Sequence, residues 1–136
     1  MYVDNICIVP NALLNSLVAL VMPNQRALLH LASRHFGLET STTSLAEICT
    51  NPELVERVYR SILATGFEQK LKPVELPSLV TLCHEEWTPM NDMLTAAMKL
   101  KRANIAYKHA ADLERMFAIL QQDPSRARVS RKLVNV

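Results

Sequence analysis

Three cations stand together late in the chain. Lys99, Lys101 and Arg102 come directly after Thr95-Ala96-Ala97-Met98, and the stretch opens upstream with Glu86-Trp87-Thr88-Pro89. Ammonium and guanidinium groups gathered at the mouth of a loop are a normal way to meet a phosphate. The bland reading is that lysines ahead of a helix are simply solvated. Lys99 and Lys101 are also close enough for either to take the leading role.

Other chemistries find little support. His30 and His35 are five apart, a poor spacing for shared metal ligation, and His84 beside Glu85 and Glu86 lacks a second histidine at metal spacing. No metal site is expected. Cys83 has no His/Asn pattern that would make it a nucleophile and reads as a small buried side chain. The chain has two glycines, Gly37 and Gly66, so no glycine-rich phosphate cradle exists in it.

The 136 residues fit one domain, and 49% hydrophobic content is enough for a core. A formal charge of +2 argues for neither a nucleic-acid binder nor an acidic partner. Against RNA, the basic residues are not interleaved with aromatics, which make up 5% of the chain. Cys7, Cys49 and Cys83 are widely spaced with no Cys-x-x-Cys pair, so a reducing compartment on the cytoplasmic side is expected. Asp4 interrupts the first apolar run, and the run from Leu13 to Met22 is too short to span a bilayer.

The elements that must position the cations are legible in outline. Val3 to Val9 and Leu14 to Met22 read as two buried strands, a hairpin or near neighbours, separated by the Pro10-Asn11 turn signal. Pro23-Asn24 opens a helix, with Gly37 placed for a left-handed C-cap. Ser44-Leu45-Ala46-Glu47 reads as a capping box starting a short helical turn. Asn51-Pro52 starts a further helix with the stripe Leu54, Val55, Val58, Ile62 and Leu63, which Gly66 weakens and Lys70 to Pro73 ends. Leu76 to Cys83 is a third strand, with Pro77 at its start or on an edge, and Glu85 to Met98 is loop. One last helix runs from Arg102 to Leu120, with Ile105, His109, Leu113, Met116 and Leu120 on one stripe. The fold class expected is α+β, a small sheet with helices packed on it.

Several segments, in order, resemble the long-chain acyl-CoA synthetases, which are adenylate-forming ligases. They are Val3-Asp-Asn-Ile-Cys7, Val21-Met-Pro-Asn-Gln25, Ile48-Cys-Thr-Asn-Pro-Glu53, Glu86-Trp-Thr-Pro89 and Leu94-Thr-Ala-Ala-Met-Lys-Leu-Lys-Arg102. The resemblance runs from about Val3 to Phe117. It implies the small C-terminal domain of adenylate-forming enzymes over residues 1–122, its first strand element cut, followed by a basic flexible tail over 123–136.

The resemblance also implies roles. Lys99 matches the family's lysine of the adenylation step, Arg102 the arginine three residues on, and Lys101, Trp87 and Thr88 fall to positioning of the substrate, nucleotide or loop. ATP, Mg²⁺ and coenzyme A are implied for the complete enzyme and none of them for this chain. The expected partner is the N-terminal adenylation core of the same enzyme, which holds the fatty acid and coenzyme A. Membrane association would come only through that remainder, and the chain by itself is expected to be inactive. Two rivals stand beside this reading: a stand-alone protein-interaction module without catalysis, and a truncated, inert product.

Overall fold

The computed structural model describes residues 2–129. Two strands, β1 (Val3–Asn11) and β2 (Ser16–Pro23), form an antiparallel hairpin in which Val9 faces Val18 and Asn11 faces Ser16. Asn11 closes it, its Oδ1 accepting from the amides of Leu13 at 3.0 Å and Leu14 at 3.2 Å. This Asx geometry offers the backbone a turn in place of ladder bonds. Pro10 is tolerated because β1 is an edge strand.

Three helices follow. α1 (Gln25–His35) starts at Asn24, whose Oδ1 accepts from the Ala27 amide at 2.9 Å. Gly37 takes φ +61 just beyond its end, the left-handed position that its spacing predicts. α2 (Leu45–Thr50) is capped by the Ser44 hydroxyl. α3 (Pro52–Glu68) is capped by Asn51 with proline at its first position. Gly66 does not break α3. A Cβ there would meet Leu76 Cδ2 at 2.3 Å, so the missing side chain is what lets the chain cross close over the helix.

The third strand, β3 (Leu79–Leu82), pairs parallel to β2, giving the order β1-β2-β3. It is shorter than the apolar run Leu76 to Cys83 suggests. Leu76 turns away to pack with Leu63 and Val129. The Ser78 and Cys83 amides still bond to the Leu17 and Val21 carbonyls, one step beyond the strand at each end. β2 is buried on both faces, which is why it reads as a continuous apolar run rather than an alternating one. Val18 and Leu20 face one core with Trp87, Ile105 and Met116, while Ala19 and Val21 face the other with Leu28, Leu54 and Val58.

The single last helix expected is two: α4 (Arg102–Lys108) and α5 (Ala110–Gln122), jointed at His109, which has φ −103 and ψ 28. The His109 amide still bonds to the Ile105 carbonyl and the Leu113 amide to that of His109. The joint is therefore a kink, and the stripe of Ile105, Leu113, Met116 and Leu120 stays buried across it. The stretch expected to be tail begins with a 3-10 turn at Pro124–Ala127. There the Ser78 hydroxyl donates to the Ala127 carbonyl at 2.7 Å, and Val129 is buried. The rest of that expected tail, 130–136, lies outside the described residues.

Candidate functional site: a lysine at the tip of a hairpin

The segment between β3 and α4 has almost no regular structure, and polar side chains shape it. Thr88 and Asn91 exchange bonds: the Thr88 amide donates to Asn91 Oδ1 at 2.9 Å, and the Asn91 amide donates to Thr88 Oγ1 at 3.2 Å. Asn91 Nδ2 also donates to the Glu86 carbonyl at 2.8 Å. Asp92 then takes φ +65, a conformation that asparagine and aspartate tolerate better than most residues. The Thr88 carbonyl accepts from the amides of Met93 and Leu94 and turns the chain into a second, narrower loop.

That second loop is a hairpin. Leu94 bridges Leu100, the Thr95 amide donates to the Lys99 carbonyl at 2.8 Å, and the Met98 amide donates to the Thr95 carbonyl at 2.9 Å. Met98 takes φ +65, so the pattern is a type I turn followed by a left-handed residue, the usual three-residue hairpin connection. The Thr95 hydroxyl accepts from the Lys99 amide at 3.1 Å and fixes the step into Lys99. Lys99 is exposed beside this tip, and among the described residues no carboxylate pairs with it.

The other residues singled out in the sequence sit differently. Lys101 is turned to Asp92, which its ammonium pairs with. Arg102 is the first residue of α4 and lies beside the buried Cys7. Burial pushes the Cys7 thiol up, and the Arg102 guanidinium, by its charge and a hydrogen bond, draws it partly back. Trp87 is 2% exposed, its amide on Met22 Sδ at 3.1 Å and its ring centroid 6.3 Å from that of His109. It supports the loop from inside the core, and Thr88 shapes it from the turn. Sequence reading missed Asn91, Asp92 and Asn104. The Thr-x-x-Asn spacing was a visible turn signal for Asn91. Nothing local marks Asn104, whose Nδ2 reaches the Asp92 carbonyl at 2.8 Å across twelve residues.

Away from the hairpin, a cleft of about 1160 Å³ opens along β3 between α3 and α5, and neither Lys99 nor its neighbours in the hairpin line it. Its wall includes Cys83, His109 and Asp112. His109 Nδ1 lies 3.9 Å from Cys83 Sγ and 3.5 Å from Asp112 Oδ2. A nucleophilic relay needs thiol and carboxylate on opposite ring nitrogens. Here both meet the same one, and the buried Nε2 has no partner among the described residues. Burial, reinforced by Asp112, pushes the Cys83 thiol up to about 12, which leaves it protonated and inert. Among the described residues no group of three or more His, Cys, Asp or Glu is placed to hold a metal, and no helix is long and apolar enough to cross a membrane.

The fold is that of part of an adenylate-forming enzyme. The adenylation domain of a carboxylate reductase from Mycobacterium chelonae superposes with a TM-score of 0.68 at 20% identity, over 86% of this chain and 16% of that one. The carboxylic acid reductase didomain from Segniliparus rugosus, solved in complex with AMP, gives 0.70 at 19% identity over 90% of this chain and 15% of that one. The homologues over most of the chain are long-chain acyl-CoA synthetases. Long chain acyl-CoA synthetase 8 of Arabidopsis thaliana is 37% identical over 117 residues, 86% of this chain. Long-chain-fatty-acid–CoA ligase 1 of Saccharomyces cerevisiae is 33% identical over 106 residues, 76% of this chain. The chain spans 16% and 15% of the length of these two relatives. No family model matches it.

Proposed function

We propose that the chain acts as the C-terminal part of a long-chain fatty acid–CoA ligase and delivers Lys99 to the step that forms the acyl-adenylate. In that step a carboxylate oxygen bonds to the α-phosphorus of ATP, the bond to the bridging oxygen breaks, and pyrophosphate leaves. The thiol of coenzyme A then forms the carbon–sulfur bond and AMP departs. The observation that carries this reading is the hairpin tip: one exposed ammonium, without a carboxylate partner among the described residues, held on a closed turn. Two anions meet in the first step, and a cation delivered by a separate part of the enzyme stabilises that charge and closes the site to water.

Arg102, at the base of the hairpin, suits pairing with the remainder of the enzyme rather than chemistry. No glycine-rich loop and no metal-binding group of side chains accompanies Lys99 among the described residues, so ATP, Mg²⁺ and the acyl chain would be held by the adenylation core. The three unpaired, buried thiols support residence in a reducing compartment.

The mass of the native polypeptide tests the reading first, with an antibody to residues 123–136 on a denaturing gel. A band several times the size of this chain supports a complete ligase. A band at 15.3 kDa would replace catalysis with the stand-alone interaction module. In the complete ligase, Lys99→Ala is expected to slow acyl-adenylate formation about a hundredfold or more, by analogy with loss of one preorganised donor. Thioester formation from presynthesised adenylate should fall far less. Unchanged adenylation would refute the role of Lys99.

A further inference from the structure

Lys99 and Lys101 flank Leu100, which bridges Leu94, so along this extended segment their side chains leave on the same face. Two ammonium groups on one face would both reach toward the same anion. The structure separates them. Asp92 Oδ1 holds the Lys101 ammonium, and Asn104 Nδ2 donates both to Asp92 Oδ2 at 3.2 Å and to its carbonyl at 2.8 Å. The left-handed backbone of Asp92 is part of the turn that aims its carboxylate back at the hairpin.

The carboxylate is not what closes the hairpin. The Lys101 amide bonds to the Met93 carbonyl at 2.9 Å, the Thr95 amide to that of Lys99, and Asn104 to the Asp92 carbonyl. All of these are independent of the Asp92–Lys101 ion pair. Nor is stability its main effect, since the Asp92 side chain is 67% exposed and exposed ion pairs contribute little. What remains is control of charge at the hairpin.

We propose that Asp92 is a positioning residue that, steadied by Asn104, holds Lys101 aside so that Lys99 is the single ammonium the hairpin delivers. This rests on the assignment of Lys99 above. Freed, Lys101 would add attraction for the anion in the substrate, the transition state and the pyrophosphate product alike. Uniform binding of that kind lowers KM without raising kcat, and tighter product binding slows turnover.

The first test uses the chain as it stands. With an amine-acetylating reagent and mass spectrometry, Lys99 is expected to react several-fold faster than Lys101. Asp92→Asn should bring Lys101 to the Lys99 rate and leave Lys99 unchanged. Equal rates in the unaltered chain would overturn the proposal. In the ligase carrying the chain, Asp92→Asn should lower both the KM for ATP and kcat of pyrophosphate exchange several-fold, and Asp92→Asn with Lys101→Met should restore both. A raised KM, as a loosened loop would give, or no rescue by the second substitution, would overturn it too. Lys99→Ala in the same series separates the two ideas. Full exchange activity in that variant removes the assignment of Lys99, whereas its loss beside an unaffected Asp92→Asn enzyme removes only the role of Asp92.

Discussion

The strand β2 and the hairpin at Lys99 are held by opposite means. β2 is buried on both faces and anchors two apolar cores, so water is excluded from nearly every side chain it carries. The hairpin has an exposed tip and is held by hydroxyl and side-chain amide groups bonding to nearby backbone. Burial supplies stability in proportion to area and without direction. Side-chain bonds to backbone supply little net stability, about 1 kcal/mol each, but they fix geometry. The delivery of Lys99 proposed above needs both: a stiff platform and an exposed tip whose shape does not depend on burial.

The contrast breaks most visibly under truncation in the core. Leu20→Ala removes a fully buried side chain from the central strand and should cost about 3 kcal/mol, read as a lower midpoint in urea with an unchanged slope. A loss below about 1 kcal/mol would mean that β2 is not the platform.

Alkali attacks the same platform through its thiols. Burial raises Cys49 to about 11 and Cys83 to about 12, against 9.0 for a free thiol. Unfolded chains ionise first as pH rises, so the stability contributed by these protonated thiols is complete below pH 9 and is lost on the way to 11 and 12. Thermal unfolding should therefore shift down steadily above pH 9, with thiol reagents failing to reach either group in the native protein at pH 8. A melting temperature flat from pH 9 to 11 would contradict this.

In the hairpin region the same kind of substitution should act locally. Asn91→Ala removes the bonds to Glu86 and Thr88 and should cost about 1 kcal/mol globally, while amide exchange at Thr88 and Met93 accelerates well beyond that of β2. Uniform acceleration across the chain would erase the distinction between the two regions. The smallest effect belongs to Met98→Gly. Relief of a left-handed methionine at φ +65 should stabilise the chain by under about 1 kcal/mol, since the greater freedom of unfolded glycine offsets part of the gain. Clear destabilisation in denaturant titration would show that the exposed Met98 side chain is itself needed at the tip.

Local chemistry made much of the architecture legible. Asn24, Ser44 and Asn51 announce helix starts because each carries a side-chain oxygen that reaches the amide three residues on. The apolar run announces β2 because a strand buried on both sides has no polar face to alternate, whereas β1, expected to be buried too, is an edge strand with only Cys7 fully buried. The kink at His109 was hidden, since the stripe through it is periodic, and the backbone departs where the imidazole meets Asp112 and Cys83. Gly66 was misread as a weak point because its use depends on Leu76, ten residues away and crossing the helix.

By itself the sequence determined the α+β class, the helix starts at Asn24, Ser44 and Asn51, and the presence of a cationic cluster ahead of the last helical segment. Those properties rest on spacing within a few residues, where period, capping and turn chemistry act. Only the tertiary structure decided that β3 runs parallel to β2, that Trp87 is core, and that of two lysines on one face Lys101 is paired while no carboxylate among the described residues pairs with Lys99. The two lysines are equivalent in local chemistry. What distinguishes them is a carboxylate nine residues away in sequence, brought back by a left-handed turn and by an asparagine on α4, and no pattern along the chain encodes that meeting.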